Sequence, residues 1–275
     1  IDFTRAEFNY WKKIYGVDRF RMVHPAIALN GDLIFQSPSP LIKIDLNGKI
    51  IWVKDKDIYH HSIELDLDEN IYVASHKDPF SEKVSKFVGK KSNDNKRIFL
   101  DDTINILDQN GNEKFSKSVS DILIEHGLVH RIFASESFVT DPIHLNDIQP
   151  VLKDGPYFKK GDLFLSLRNL NMIILYRPKT NKIIKIIEGG FLNQHDVDII
   201  DEKTISIYNN NVYINYKEKK VDGYNEILFY DFESNLFSKK IENTFKKLKI
   251  NTVHSGLADF LKDGSAMIED NNNGR

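Results

Sequence analysis

One pattern constrains this chain before anything else. A histidine, two alternating strand-like runs and a tight-turn hairpin recur along it, and such self-similarity decides the architecture. HPAIALNGDLIF (24–35) leads into PLIKIDLNGKIIWV (40–53), and HSIELDLDENIYV (61–73) is followed by TINILDQNGNEKF (103–115). HLNDIQPV (144–151), GDLFLSLR (161–168) and MIILYRPKTNKIIKII (172–187) form a third unit. HDVDIIDEKTISIY (195–208) with EILFYDFESNLFSKKI (226–241) forms a fourth, and HSGLADFLKDGSAMIED (254–270) begins a fifth. Each unit is three or four short strands: apolar and polar residues alternate, β-branched and aromatic residues dominate, and Asn-Gly or Asp-Gly marks turns that need positive φ.

A sheet that small cannot bury both its faces alone, so the copies must stack face to face. An open sandwich would accommodate the strands but gives no reason for a histidine at the head of every unit. A β-propeller does, because the first strand of each blade lines the central channel and equivalent residues converge at one mouth. The expectation is an all-β propeller of about six blades, a single domain over residues 1–275. Two regions break the repeat. Residues 76–100 are polar and lysine-rich and read as a solvated loop. Within a second insertion at 116–140, SVSDILIEHG (118–127) reads as a short helix near the channel mouth, with Ser118 as N-cap and Gly127 as C-cap. TRAEFNYWKKIY (4–15), in the N-terminal segment 1–20, reads as another helix.

With 41% apolar residues the 275-residue chain can bury a sizeable core, and a formal charge of −2 argues against a general nucleic-acid-binding surface. The absence of cysteine removes disulfides, thiolate nucleophiles and Cys-ligated zinc together. No run of about 18 apolar residues exists, so no membrane span is expected. The chain opens on Ile1 without Met and stops at NNNGR, which reads as truncation at both ends.

The strand-initiating histidines are His24, His60 or His61, His144, His195 and His254. Taken singly, each reads as a polar residue at a channel rim. Their neighbours separate them: His144 has Asn146 on its face, and His195 lies between Gln194 and Asp196, groups able to orient an imidazole. His24 precedes Pro25 and reads as structural; His254, in VHSG, is left open between the two. Arg168 ends the apolar run GDLFLSLR and can sit beside the mouth that His144 reaches. Either it pairs with a surface carboxylate, or its planar fork of donors receives carboxylate, phosphate or sulfate oxygens. Clustered imidazoles disfavour one another's protonation and so keep a nucleophilic nitrogen free. Three such histidines could also hold zinc, but no HExxH or His-x-His spacing occurs and a neighbouring arginine would repel a cation. No GxSxG, GxxxxGK[ST] or GxGxxG motif occurs.

Five ordered motifs resemble those of one family. YHHSIELDLDENIYV (59–73), DPIHLNDIQP (141–150), LSLRNLNMI (165–173), NQHDVDII (193–200) followed by IYNNN, and LKDGSAMIEDNNNGR (261–275), in that order, are similar to the bacterial arylsulfotransferases. These are six-bladed propellers that move a sulfuryl group between phenols without a nucleotide cofactor. The resemblance implies an aryl sulfate donor, a phenolic acceptor and no cofactor. It makes His195 the nucleophile that forms a sulfohistidine, with Arg168 and His144 on the sulfuryl oxygens and His61, or its neighbour His60, assisting proton transfer. Asn146, Gln194, Asp196 and His254 would line the substrate site. It also implies the periplasm, where a nucleotide sulfate donor is unavailable. The insertion at 76–100, the missing cysteines and the wording of DPIHLNDIQPV mark a divergent branch. Two other functions fit the same residues: a metal-assisted hydrolase or lyase, and a non-catalytic propeller that binds an anionic ligand.

Overall fold

A computed structural model describes residues 22–36, 39–89, 99–261 and 263–270; the helix expected at 4–15 lies outside them. Strands follow the predicted units. The first sheet runs β1 (Val23–Ile27), β2 (Leu33–Gln36), β3 (Leu41–Ile44) and β4 (Ile50–Lys54). The second runs β5 (Ile58–Leu65), β6 (Ile71–His76), β7 (Asp102–Leu107) and β8 (Glu113–Ser118). The third runs β9 (Leu145–Pro150), β10 (Leu163–Leu167), β11 (Met172–Arg177) and β12 (Lys182–Glu188). In the fourth, β13 (Val197–Ile199) and β14 (Thr204–Asn209) are followed by a separate hairpin, β15 (Val212–Ile214) and β16 (Lys219–Val221), before β17 (Glu226–Asp231) and β18 (Leu236–Lys239) complete the sheet. Last comes the pair β19 (Ala258–Phe260) and β20 (Ala266–Ile268). All neighbouring strands are antiparallel.

β1 lies against β5, β5 against β9, and β9 against β13. Successive sheets therefore meet along their first strands, the radial arrangement of a β-propeller. Two buried carboxylates hold the inner strands together. Asp147 Oδ2 on β9 accepts the Val197 N–H of β13 at 3.2 Å, and Asp196 Oδ2, just before β13, accepts the Ala258 N–H of β19 at 3.0 Å.

The turns show why the repeated Asp-x-Asn-Gly wording matters. Asp45 Oδ1 accepts the Asn47 and Lys49 N–H groups, Asp66 Oδ1 those of Asp68 and Asn70, and Asp108 Oδ1 those of Asn110 and Asn112. Each side chain thus satisfies two turn donors, an aspartate turn that fixes where the chain reverses. Gly48 and Gly111 supply the positive φ; in DLDEN the same place falls to Glu69, at φ 56°.

Packing is between sheets. Tyr72, Ala74 and Ile104 of the second meet Leu145, Ile148, Leu163 and Leu165 of the third. On the far side Phe164, Ile173 and Leu175 meet Val197, Ile205 and Ile207. Because both faces of the third sheet are covered, β10 is buried at every residue and reads LFLSL rather than alternating.

Two expectations about the insertions need correction. The lysine-rich segment holds a helix, α1 (Glu82–Val88), where a solvated loop was expected. Ser81 Oγ caps it by accepting the Val84 N–H at 3.2 Å, and Val84 is fully buried. Phe80, Val84 and Val88, four residues apart, make an apolar stripe that joins the core between sheets two and three; the lysines around it mask the period. α2 (Val119–Glu125) forms where expected, with Ser118 Oγ accepting the Asp121 N–H at 3.1 Å. His126 is its C-cap, with Gly127 at φ 75° one residue further on. It packs on β7 and β8, the outer strands, rather than at the inner ones. Two further helices follow, α3 (His130–Phe133) and α4 (Glu242–Leu248).

Leu165, fully buried between the second and third sheets, should lose roughly 2–5 kcal/mol of stability on Leu165→Ala. Leu67→Ala, at a residue 64% exposed, should stay within about 0.5 kcal/mol. Urea unfolding of both variants checks the contrast; equal costs would contradict the packing.

Candidate active site

The inner strands do not pair regularly. The β1–β2 register shifts between Val23 and Ala26, and the β5–β6 register between His60 and Ile63. Within these bulges His24 and His61 take φ values of 40° and 60°, and His144, just before β9, takes 58°. A left-handed backbone at a residue with a Cβ costs on the order of 1–3 kcal/mol. That cost recurs where imidazoles leave the sheet pairing. His61 then lies with its ring centre 4.8 Å from His144 and 6.3 Å from His195, although the three rings belong to three different sheets.

The repeat is looser than the sequence implied. Ala26, Ile63 and Val197 pair with Ile34, Val73 and Ile207, each two residues beyond His24, His61 and His195. Val197 and Ala258 both donate to the preceding blade's aspartate, so His254 stands four residues before its equivalent point, not two. His144 likewise precedes Ile148, which pairs with Leu165, by four residues. Asn146 takes the place of the third imidazole, and its Nδ2 donates to the Gln194 carbonyl at 3.0 Å.

His195 is 4% exposed, and both its nitrogens are engaged. Nδ1 lies 2.5 Å from Asn210 Oδ1. The Asn210 amide nitrogen donates to the Thr252 and Ser255 carbonyls, which turns Oδ1 toward the ring and puts the imidazole proton on Nδ1. Nε2 therefore carries the lone pair, and it accepts the Ser255 N–H at 3.0 Å. Burial pushes the His195 pKa well below its usual value, and the Arg168 cation lowers it further against the Asn210 bond. The His61 pKa is also well down, from burial and from His144, His60, His195 and His24 around it.

Arg168 directly follows β10; its N–H donates to the His144 carbonyl, which ties the two residues together. The side chain is 3% exposed. Nη1 donates to Asn169 Oδ1 at 3.0 Å, while Nε and Nη2 are buried without a protein partner among the described residues. Burial lowers the guanidinium pKa, partly offset by Asp141. His144 Nδ1 is paired to the Asp141 carboxylate. His144, Arg168 and Asp141 open into a cavity of about 610 Å³ that Leu170, Leu192, Tyr213 and Lys219 also line.

Other candidate residues sit elsewhere. His60 turns from the mouth into the second blade, 3.2 Å from Asp102 Oδ1. Gln194 is fully buried and its Nε2 donates to the Met172 carbonyl, and Asp196 serves the blade junction. Neither orients the His195 ring, the role their neighbourhood predicts; Asn210 does. His254 has its pKa lowered by burial and by Lys219 and Arg168, which puts it within the field of the same cations. Sequence reasoning missed Asn210, Ser255 and Asp141. The signals were the Asn-Asn-Asn run at the end of β14 and the aspartate three residues before His144. Along the axis Glu64, Asp147, Asp196 and Asp198 have raised pKa values, Asp147 to about 6, chiefly from burial.

His61 and His195 are thus bases with depressed folded-state pKa values, whereas in the unfolded chain they protonate near about 6.5. Below that pH the unfolded state binds more protons, so stability should fall as pH drops through about 6.5 and below. Imidazole ¹⁵N spectra should show both rings still neutral at about pH 6, with His195 as the Nδ1–H tautomer; charged rings at that pH would contradict the geometry.

The family model described as arylsulfotransferase (ASST) matches residues 24–275. No curated protein matches the chain. Among solved structures, a protein of unknown function from Bacteroides caccae is similar at 11% identity and a TM-score of 0.56, covering 91% of this chain and 70% of that one. A catalytically inactive variant of virginiamycin B lyase from Staphylococcus aureus with quinupristin has 11% identity and a TM-score of 0.45, covering 90% and 69%. The WD40 β-propeller domain of Doa1 has 10% identity and a TM-score of 0.47, covering 92% and 66%.

Proposed function

The chain belongs to the arylsulfotransferase family, and on that premise we propose that it moves a sulfuryl group from an aryl sulfate to a phenol through a transient sulfohistidine on His195. One observation carries the reading: the buried Arg168 fork keeps Nε and Nη2 open beside His144 and within the field of His195, two imidazoles that His61 joins from a third sheet. A buried cation with two free donors is complementary to the nonbridging oxygens of a sulfate ester. Ile132, Val139, Leu170, Leu192, Val212 and Tyr213 give the adjoining cavity the apolar wall an aryl group needs.

In the first half-reaction the Nε2 lone pair of neutral His195 forms the N–S bond. The S–O bond to the aryl group breaks, and its electron pair leaves on the phenolate oxygen. The Ser255 N–H covers Nε2 at rest, so attack requires residues 254–256 to draw back. Two imidazoles can serve the leaving oxygen. His144 is the proton carrier, because the Asp141 carboxylate paired with its Nδ1 fixes the ring with Nε2 free for the leaving oxygen. His61, kept neutral by burial and its imidazole neighbours, contributes a hydrogen bond. In the second half-reaction neutral His144 takes the proton of the acceptor phenol, whose oxygen attacks sulfur. The N–S bond breaks and His195 is restored. The periplasmic location is part of the same proposal, since no nucleotide donor enters the scheme.

With 4-nitrophenyl sulfate as donor, release of nitrophenolate should depend on added phenol and follow ping-pong kinetics. His195→Ala should abolish transfer. Arg168→Lys, which keeps charge but loses the fork, should lower kcat roughly 10²–10³-fold, and His144→Ala roughly 10²–10⁴-fold. Sequential kinetics, or a His195→Ala enzyme as fast as the parent, would sink the mechanism.

A further inference from the structure

Behind His61, on the face of the second sheet that packs toward the third, His60 on β5, His76 on β6 and Asp102 on β7 bring three ligand-type atoms within 4.8 Å of one another. None of these atoms enters the transfer mechanism. His60 Nε2 lies 3.2 Å, and His76 Nε2 3.6 Å, from the same oxygen, Asp102 Oδ1, and the two rings are 4.2 Å apart at 32°. His60 is 7% exposed and Asp102 not at all. Both His60 nitrogens and both Asp102 oxygens are out of hydrogen-bond alignment with any partner among the described residues.

A buried histidine and aspartate at this separation would ordinarily close a hydrogen bond, and left open they cost free energy. The spacing matches something else. Ligand atoms about 2.0–2.1 Å from a tetrahedral ion lie about 3.3 Å apart, which is close to the separation of the two imidazole nitrogens from the shared carboxylate oxygen. Two imidazoles and one carboxylate form a donor set for a divalent transition metal, with the fourth position open to water. Asp101, directly before Asp102 at the entrance to β7, adds a second buried carboxyl group beside this donor set.

We propose that His60, His76 and Asp102 bind one zinc-type divalent ion inside the second blade. The ion ties β5 to β6 and β7 at the bulge, and the His60 ring, 5.0 Å from that of His61, couples it to the backbone that presents His61 at the mouth. This site does not depend on the sulfuryl-transfer reading, and its test reads metal rather than turnover.

Chelator-treated protein should take up one equivalent of Zn²⁺ in calorimetric titration and retain it through desalting, as measured by elemental analysis. Bound Zn²⁺ should raise Tm by mass action, and Co²⁺ should give the intense visible bands of a tetrahedral site. Asp102→Asn and His76→Ala should each weaken Zn²⁺ affinity by at least about 100-fold, while circular dichroism shows them folded. His76 is the safer variant, since it is only part-buried. His144→Ala should bind as the parent does. Failure of the folded parent to retain an equivalent, undiminished binding by Asp102→Asn and His76→Ala, or loss of binding in His144→Ala would each overturn the site; the last would move the ion to the imidazoles of the mouth.

Discussion

The architecture rests on carboxylates buried where the blades meet. Asp147 and Asp196 each accept a backbone N–H from the next inner strand, and Asp147 Oδ1 also accepts the Ser62 hydroxyl of the preceding blade at 2.5 Å. Four successive first strands, β5, β9, β13 and β19, are thus joined through two side chains. A buried carboxylate is expensive, and the raised pKa values of Asp147 and Asp196 are that expense made visible. What it secures is a fixed distance between inner strands, and with it the spacing of the imidazoles above them.

The same constraint explains the polarity of the axis. Acidic groups occupy the level of the blade junctions, while His61, His144, His195 and Arg168 gather where the inner strands begin. Arg168 does not pair with the acids; the carboxylate that influences it is Asp141, which is already bound to His144. A guanidinium with open donors therefore lies near the His195 imidazole, which burial holds neutral. That combination repels metal cations and favours an anion, which separates the mouth from the His60, His76 and Asp102 group one layer behind it.

Much of this was legible in the sequence, and the exceptions have physical causes. Strand period, Asp-x-Asn-Gly turns and the apolar LFLSL run follow from local rules and are visible residue by residue. The ring of histidines was visible too, but not its register: His144 before β9 and His254 before β19 stand four residues from the equivalent point rather than two, and such an offset leaves no mark in composition. His60 and His61 could not be separated for the same reason, since the irregular pairing between His60 and Ile63 decides which ring leaves the sheet. The partners of His195 were hidden because contact across the chain, not adjacency, supplies them: Asn210 and Ser255 lie 15 and 60 residues away, whereas the adjacent Gln194 and Asp196 turn to the blade junctions. α1 was obscured by lysines around a stripe of only three apolar residues.

The transfer chemistry depends on His195 carrying the sulfuryl group between two half-reactions. Incubating the protein with 4-nitrophenyl sulfate without any phenol, quenching in alkali and mapping the peptides by mass spectrometry tests this directly. The expected result is one sulfuryl adduct per chain, on the peptide containing His195, discharged when phenol is added before the quench. An adduct on the His61 or His144 peptide instead, or a stoichiometric burst of nitrophenolate with no adduct on any histidine, would contradict it.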